Sequence, residues 1–75
     1  MELFNRNGNA YNIIAHYEDK YGANHYFLEL NSNFIIAYDY DKKQRCWARG
    51  KYFFTRLSAL NAWKELVSNE SDNLF

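Results

Sequence analysis

Apolar and aromatic side chains recur at every second position in short runs, as in Tyr11-Ile13-Ala15-Tyr17 and Phe34-Ile36-Tyr38-Tyr40. No other feature constrains the chain as much, because this is the period of a strand, whose successive side chains point to opposite faces. Proline is absent. The chain therefore reads as a small antiparallel sheet. A sheet has two faces, and only one convincing helix is present to cover them. A second face that still carries aromatics is a surface available for contact.

Seventy-five residues bound the answer to one domain, 1–75. At this size only about 60% of the unfolded chain's surface is buried on folding, so the core is thin. Seven Tyr, six Phe and two Trp suit that limit, since each aromatic buries roughly 150–250 Å². Nine Lys and Arg balance nine Asp and Glu. A zero balance argues against a dedicated nucleic-acid binder, whose affinity comes mainly from phosphate attraction, while leaving room for a local basic stripe. The single cysteine, Cys46, has no partner for an intramolecular disulfide, which favours a reducing compartment. The start, Met1-Glu2-Leu3-Phe4-Asn5-Arg6, lacks the apolar core of a signal peptide. No run approaches the roughly 18 apolar residues of a membrane span. A soluble, cytoplasmic protein is expected.

Residues 1–10 read either as an arm or as a short strand, with Asn7-Gly8 a good turn dipeptide. Residues 11–49 read as a meander. The first clear strand, Tyr11 to Glu18, puts Tyr11, Ile13, Ala15 and Tyr17 inward. The turn Asp19-Lys20-Tyr21-Gly22 sets His16 opposite His25, and the next strand points Tyr26, Leu28 and Leu30 inward, with His25 and Phe27 outward. A three-residue loop, Asn31-Ser32-Asn33, leads to a strand with Phe34, Ile36 and Tyr38 inward and Ile35 and Ala37 outward. For the loop after Tyr40 there are two readings. Three residues, Asp41-Lys42-Lys43, set Asp39 opposite Arg45 and Ala37 opposite Trp47 on the outer face; four residues reverse the parity and bury Trp47. The pairing of opposite charges favours the first. Gly50 ends the fourth strand. Thr55 is the N-cap of a helix over 55–68, whose 100° periodicity gathers Ala59, Leu60, Trp63, Leu66 and Val67 on one side. Residues 69–75 read as a frayed tail.

Candidate chemistry is sparse. His16, His25 and Glu18 include zinc-ligand types, but three or four convergent ligands are needed and these lie along a flat ladder. Asp39 and Asp41 are too few oxygens for a cation site. Cys46 is expected to be buried beside the helix, without a catalytic partner. No phosphate-cradling loop or catalytic triad is found, so no cofactor, metal or enzymatic activity is expected. The telling segment is Arg45-Cys46-Trp47-Ala48-Arg49, in which alternation stands Trp47 between two arginines, a combination that serves protein hot spots and base stacking alike.

The run from Trp47 through Phe53 into Leu57-Ser58-Ala59 and Trp63, with the Asn- and Tyr-rich, proline-free composition, resembles the strand-to-helix ending of small accessory proteins of bacteriophages and mobile elements, over roughly the C-terminal half of this chain. That resemblance implies stoichiometric binding that disables a host or defence protein. The expected fold is α+β, a four-stranded antiparallel meander open to a fifth N-terminal strand, with one C-terminal helix on one face. The expected function is protein binding through the uncovered face, carrying Ile14, His16, His25, Phe27, Ile35, Arg45, Trp47 and Arg49. A homodimer through the same face is compatible with this. The alternative is single-stranded nucleic-acid binding, with Phe27 and Trp47 stacking bases and Arg45 and Arg49 meeting phosphates.

Overall fold

The computed structural model describes residues 2–72. Five antiparallel strands follow one another in the sheet in chain order: β1 (Glu2–Phe4), β2 (Ala10–Glu18), β3 (Asn24–Leu30), β4 (Asn33–Asp41) and β5 (Cys46–Phe53). One helix, α1 (Arg56–Asp72), completes the α+β fold. The N-terminal strand is thus present. Gly50 lies within β5, opposite Ala37, and does not end it. The helix also continues past residue 68 to Asp72, and the rest of the expected tail, 73–75, lies outside the described residues.

The turns explain most of the register. Gly8 and Gly22 adopt positive φ (88° and 84°) in the first two, where a side chain would be strained. The β3–β4 connection is two residues, Asn31 and Ser32, both left-handed, with Leu30 paired to Asn33. This is the geometry of a tight hairpin turn matched to strand twist, one residue shorter than the composition implied. The β4–β5 loop has four residues, 42–45, between the paired Asp41 and Cys46.

Two local irregularities reassign the faces. In β2 the register shifts between Ile13, opposite Leu28, and Ala15, opposite Phe27, so Ile14 is an extra residue in a bulge. Tyr11 and Ile13 therefore pack on one side of the sheet, and Ala15 and Tyr17 on the other. In β4, Asp39 has φ 57°. Tyr38 before it faces the helix, while Tyr40 after it faces away. Each of the alternating runs Tyr11–Tyr17 and Phe34–Tyr40 is split between two cores.

The first core lies under α1. Phe27, Phe34, Ile36 and Tyr38 meet Ala59 and Trp63, with Phe27 and Trp63 ring centroids 6.0 Å apart. Thr55 caps the helix: its Oγ1 accepts the Ser58 N–H at 3.3 Å, as the sequence implies.

The second core corrects the expectation of an uncovered face. Leu3, Tyr11, Tyr26, Leu28, Ile35 and Ala37 are all buried on the side away from the helix. The sheet curls over them. Strands three places apart in a flat sheet are separated by roughly 14 Å, yet the Tyr40 hydroxyl of β4 donates to the Phe4 carbonyl of β1 at 2.7 Å. Likewise Tyr11 of β2 meets Trp47 of β5 edge to face, at 5.4 Å between centroids. Twist, the Ile14 bulge and the left-handed Asp39 supply the curvature.

Candidate binding surface

The expected contact residues do not share a surface. Phe27, 1% exposed, and Ile14 belong to the helix-side core, and Ile35 is buried in the curled core. His16 pairs with Tyr26 rather than with His25. Its ring stacks on Tyr26 at 4.6 Å, and its Nε2 lies 2.7 Å from Asn24 Oδ1, both exposed to solvent. His25 pairs with Tyr17 and faces the other way. Arg45 sits in the β4–β5 turn at φ 55°, not opposite Asp39. Arg49 lies over the Tyr38 ring at 4.7 Å on the helix side. Trp47 does face away from the helix, but it is half-buried between Tyr11 and Tyr40. Cys46 is half-buried too, and its neighbour is Arg6 of the β1–β2 turn, not the helix. Alternation alone counts neither an inserted residue nor a left-handed one, so every face assignment beyond such a point is unreliable.

His25 is held at both nitrogens. Asp39 N–H donates to Nδ1 at 3.2 Å, which leaves the ring proton on Nε2, donated to Asp19 Oδ2 at 2.9 Å. Asp19 Oδ1 meanwhile accepts the N–H groups of Tyr21 and Ala23 at 2.9 and 3.0 Å. The hydrogen bond from His25, aided by those backbone donors and opposed by burial, holds the Asp19 carboxyl below its ordinary value. With neither ring nitrogen free, the pair ties the β2–β3 turn to β4; its chemistry is structural. Burial raises the Tyr40 phenol, partly offset by the nearby Arg45, so this hydroxyl remains a hydrogen-bond donor to Phe4. Among the described residues, no group of three or more His, Cys, Asp or Glu is arranged to hold a metal ion, and no helix is long and apolar enough to cross a membrane.

An apolar surface does exist, at the junction of β5 and α1. Phe54 is 90% exposed, and Tyr52 and Leu57 are 68% exposed. Where β5 gives way to α1, Tyr52 and Phe54 line a groove of about 330 Å³ together with Tyr11, Leu30, Ile35 and Phe53, with Asn33 at its edge. Gly50 shapes its neighbourhood: a Cβ there would lie 3.0 Å from the Trp47 indole nitrogen and 3.3 Å from the Tyr52 hydroxyl. The missing side chain lets those two rings approach over the backbone. With the fourth strand expected to end at Gly50 and the helix to begin at Thr55, alternation assigns Tyr52-Phe53-Phe54 to neither element. The signal was present, since three consecutive aromatics cannot all point to one side of a strand. Leu57 likewise lies off the helix stripe. No family model, curated protein or solved structure matches this chain.

Proposed function

We propose that this chain is a small protein-binding module that takes an extended segment of its partner along β5, with an apolar side chain of that segment seated in the β5–α1 groove. The observation that carries the reading is the exposure of Tyr52 and Phe54, which line that groove, with Leu57 exposed in the first turn of the helix that follows. At roughly 25 cal/mol per Å², covering such surface is a substantial driving force. Strand β5 ends the sheet order, and an edge strand offers backbone donors and acceptors for strand addition. Equal numbers of cationic and anionic side chains favour contact by shape and apolar burial over long-range charge. On the resemblance to phage and mobile-element accessory proteins, the partner is a host or defence protein and binding disables it.

The single-strand nucleic-acid reading needs Phe27, Trp47, Arg45 and Arg49 on one surface. Phe27 is buried, and Trp47 and Arg49 lie on opposite sides of the sheet, so nothing in the geometry favours it.

The test compares wild type with a Tyr52→Ser/Phe54→Ser/Leu57→Ser variant in capture from bacterial lysate, followed by titration of the isolated partner. All three side chains are exposed, so the variant should stay folded. The expected outcome is at least a tenfold loss of affinity, the scale of a hot-spot truncation. Equal capture by both proteins would sink the proposal, as would capture lost only because the wild type self-associates through this patch.

A further inference from the structure

At the other end of β5, the β1–β2 and β4–β5 turns converge on a cleft of about 250 Å³ lined by Asn5, Arg6, Asn7, Arg45, Cys46 and Trp47. Arg6 reaches across to the second turn: one guanidinium nitrogen lies 3.4 Å from Gln44 Oε1 and 3.9 Å from Cys46 Sγ, the two chain neighbours of Arg45. Both contacts are to uncharged groups. Among the described residues neither arginine forms a salt bridge. Asp41, four residues before Arg45, has its Oδ1 turned into the hairpin, accepting the N–H groups of Lys43 and Gln44 at 2.8 and 3.4 Å; Glu2, four residues before Arg6, lines a neighbouring hollow with Arg45 but not the cleft itself. Exposed Lys42 and Lys43 add positive charge to the same turn. The backbone supplies a further observation. Arg45 holds φ at 55°, closing the turn with its N–H on Asp41 O at 2.8 Å. Glycine or asparagine occupies that conformation at lower cost than arginine. That conformation fixes where the Arg45 side chain leaves the turn, beside the cleft it lines.

We infer that this cleft is a phosphate-binding site, in which Arg6 and Arg45 clamp the dianionic oxygens of a phosphate monoester beside the Trp47 indole. Each guanidinium presents parallel N–H donors in a plane that matches an oxyanion. Two such groups balance a phosphate, which carries about −1.5 to −2 charge at neutral pH, where a lone carboxylate would leave one arginine uncompensated. The cleft, of about 250 Å³, has room beyond the phosphate for an attached flat group against Trp47. The site is separate from the β5–α1 groove and stands whether or not that groove binds a protein.

The test is titration of the isotope-labelled protein with inorganic phosphate and, separately, with adenosine monophosphate, at low ionic strength where screening is weak. The side-chain N–H signals of Arg6 and Arg45 should shift, with a dissociation constant on the order of millimolar for phosphate alone. Arg45→Gly is the decisive variant: it removes the guanidinium and relieves the backbone, so it should be at least as stable as wild type while binding falls about tenfold or more. Arg6→Gln should weaken binding similarly. Lys51→Gln, whose ammonium lies over Tyr38 on the helix side, should change it less than about twofold. A nucleotide affinity exceeding that of phosphate, with the excess abolished by Trp47→Leu, would identify a nucleoside-borne phosphate. Equal affinities would identify recognition of the phosphate group alone. Unmoved arginine signals, unchanged binding by Arg45→Gly, or an equal loss in Lys51→Gln would overturn the site.

Discussion

The two cores on either side of this sheet are closed by different means. Under the helix, an amphipathic stripe delivers Ala59 and Trp63 onto Phe27, Phe34 and Ile36, so one element covers another. On the far side, among the described residues, no element is laid over the sheet; Leu28, Ile35 and Ala37 are covered because the sheet bends back on itself. The seam of that bend consists of large aromatics with polar tips: the Tyr40 hydroxyl on the Phe4 carbonyl, and Trp47 against Tyr11 and Tyr40. The comparison teaches that a two-faced sheet with a single helix need not keep an open face. A small chain rich in Tyr and Trp can seal its second face with side chains long enough to span the gap.

If the helix-side core is the better filled, Trp63→Ala should show the largest effect, about 3–5 kcal/mol, on the scale of a whole small-domain stability. Urea unfolding measures it, and a loss below about 1 kcal/mol would mean that the helix is only loosely seated. Leu28→Ala is the counterpart for the curled core. Fully buried there, Leu28 should cost about 2–5 kcal/mol when truncated. An uncovered face would register under about 1 kcal/mol, so this variant separates the two architectures.

The elements themselves were legible in the sequence, and the helix most of all. Thr55 caps it and its stripe of Ala59, Leu60, Trp63, Leu66 and Val67 packs as the 100° spacing requires. The side of the sheet on which each strand residue falls was not. Parity is cumulative along a meander, and the chain shifts it at Ile14, at Asp39 and in two turns whose lengths differ from those implied. None of these carries a glycine or proline to mark it. Ser32 and Arg45 adopt left-handed backbone with residue types that give little warning, and Asp39, a type that does visit it, does so inside a strand. Hence His16 and His25, placed side by side by alternation, lie on opposite faces. The apolar patch was not legible for a related reason: Tyr52 belongs to a strand that runs past Gly50, and Phe54 directly follows that strand's end.

The seam itself is probed by Tyr40→Phe, which deletes only the hydroxyl bonded to Phe4 and should cost about 1 kcal/mol, the net worth of one such bond. Faster amide exchange confined to β1 would show that the loss is local to the closure. No change in either stability or exchange would mean that the aromatic packing closes the sheet unaided. The smallest effect at neutral pH, and one that distinguishes the two sides again, belongs to Asp19. Its carboxyl is held down chiefly by the His25 hydrogen bond. The stability it contributes is therefore present above the unfolded value near 3.8 and is lost as pH falls through the lower folded value. Asp19→Asn should flatten that acid limb, seen as a melting temperature less dependent on pH below about 4. An unchanged limb would move the acid sensitivity elsewhere.

The seam between β1 and β4 also governs how copies of the molecule can add to one another. A sheet with two open edges can be extended at both, and identical subunits joined edge to opposite edge grow without limit. Here β1 is three residues long and its Phe4 carbonyl already accepts the Tyr40 hydroxyl. One acceptor at that edge is thereby taken, which leaves β5, eight residues long, the longer edge for strand addition. On the function proposed above, β5 takes a foreign strand or pairs symmetrically with a second β5, and either arrangement leaves only the short β1 edge for a further copy.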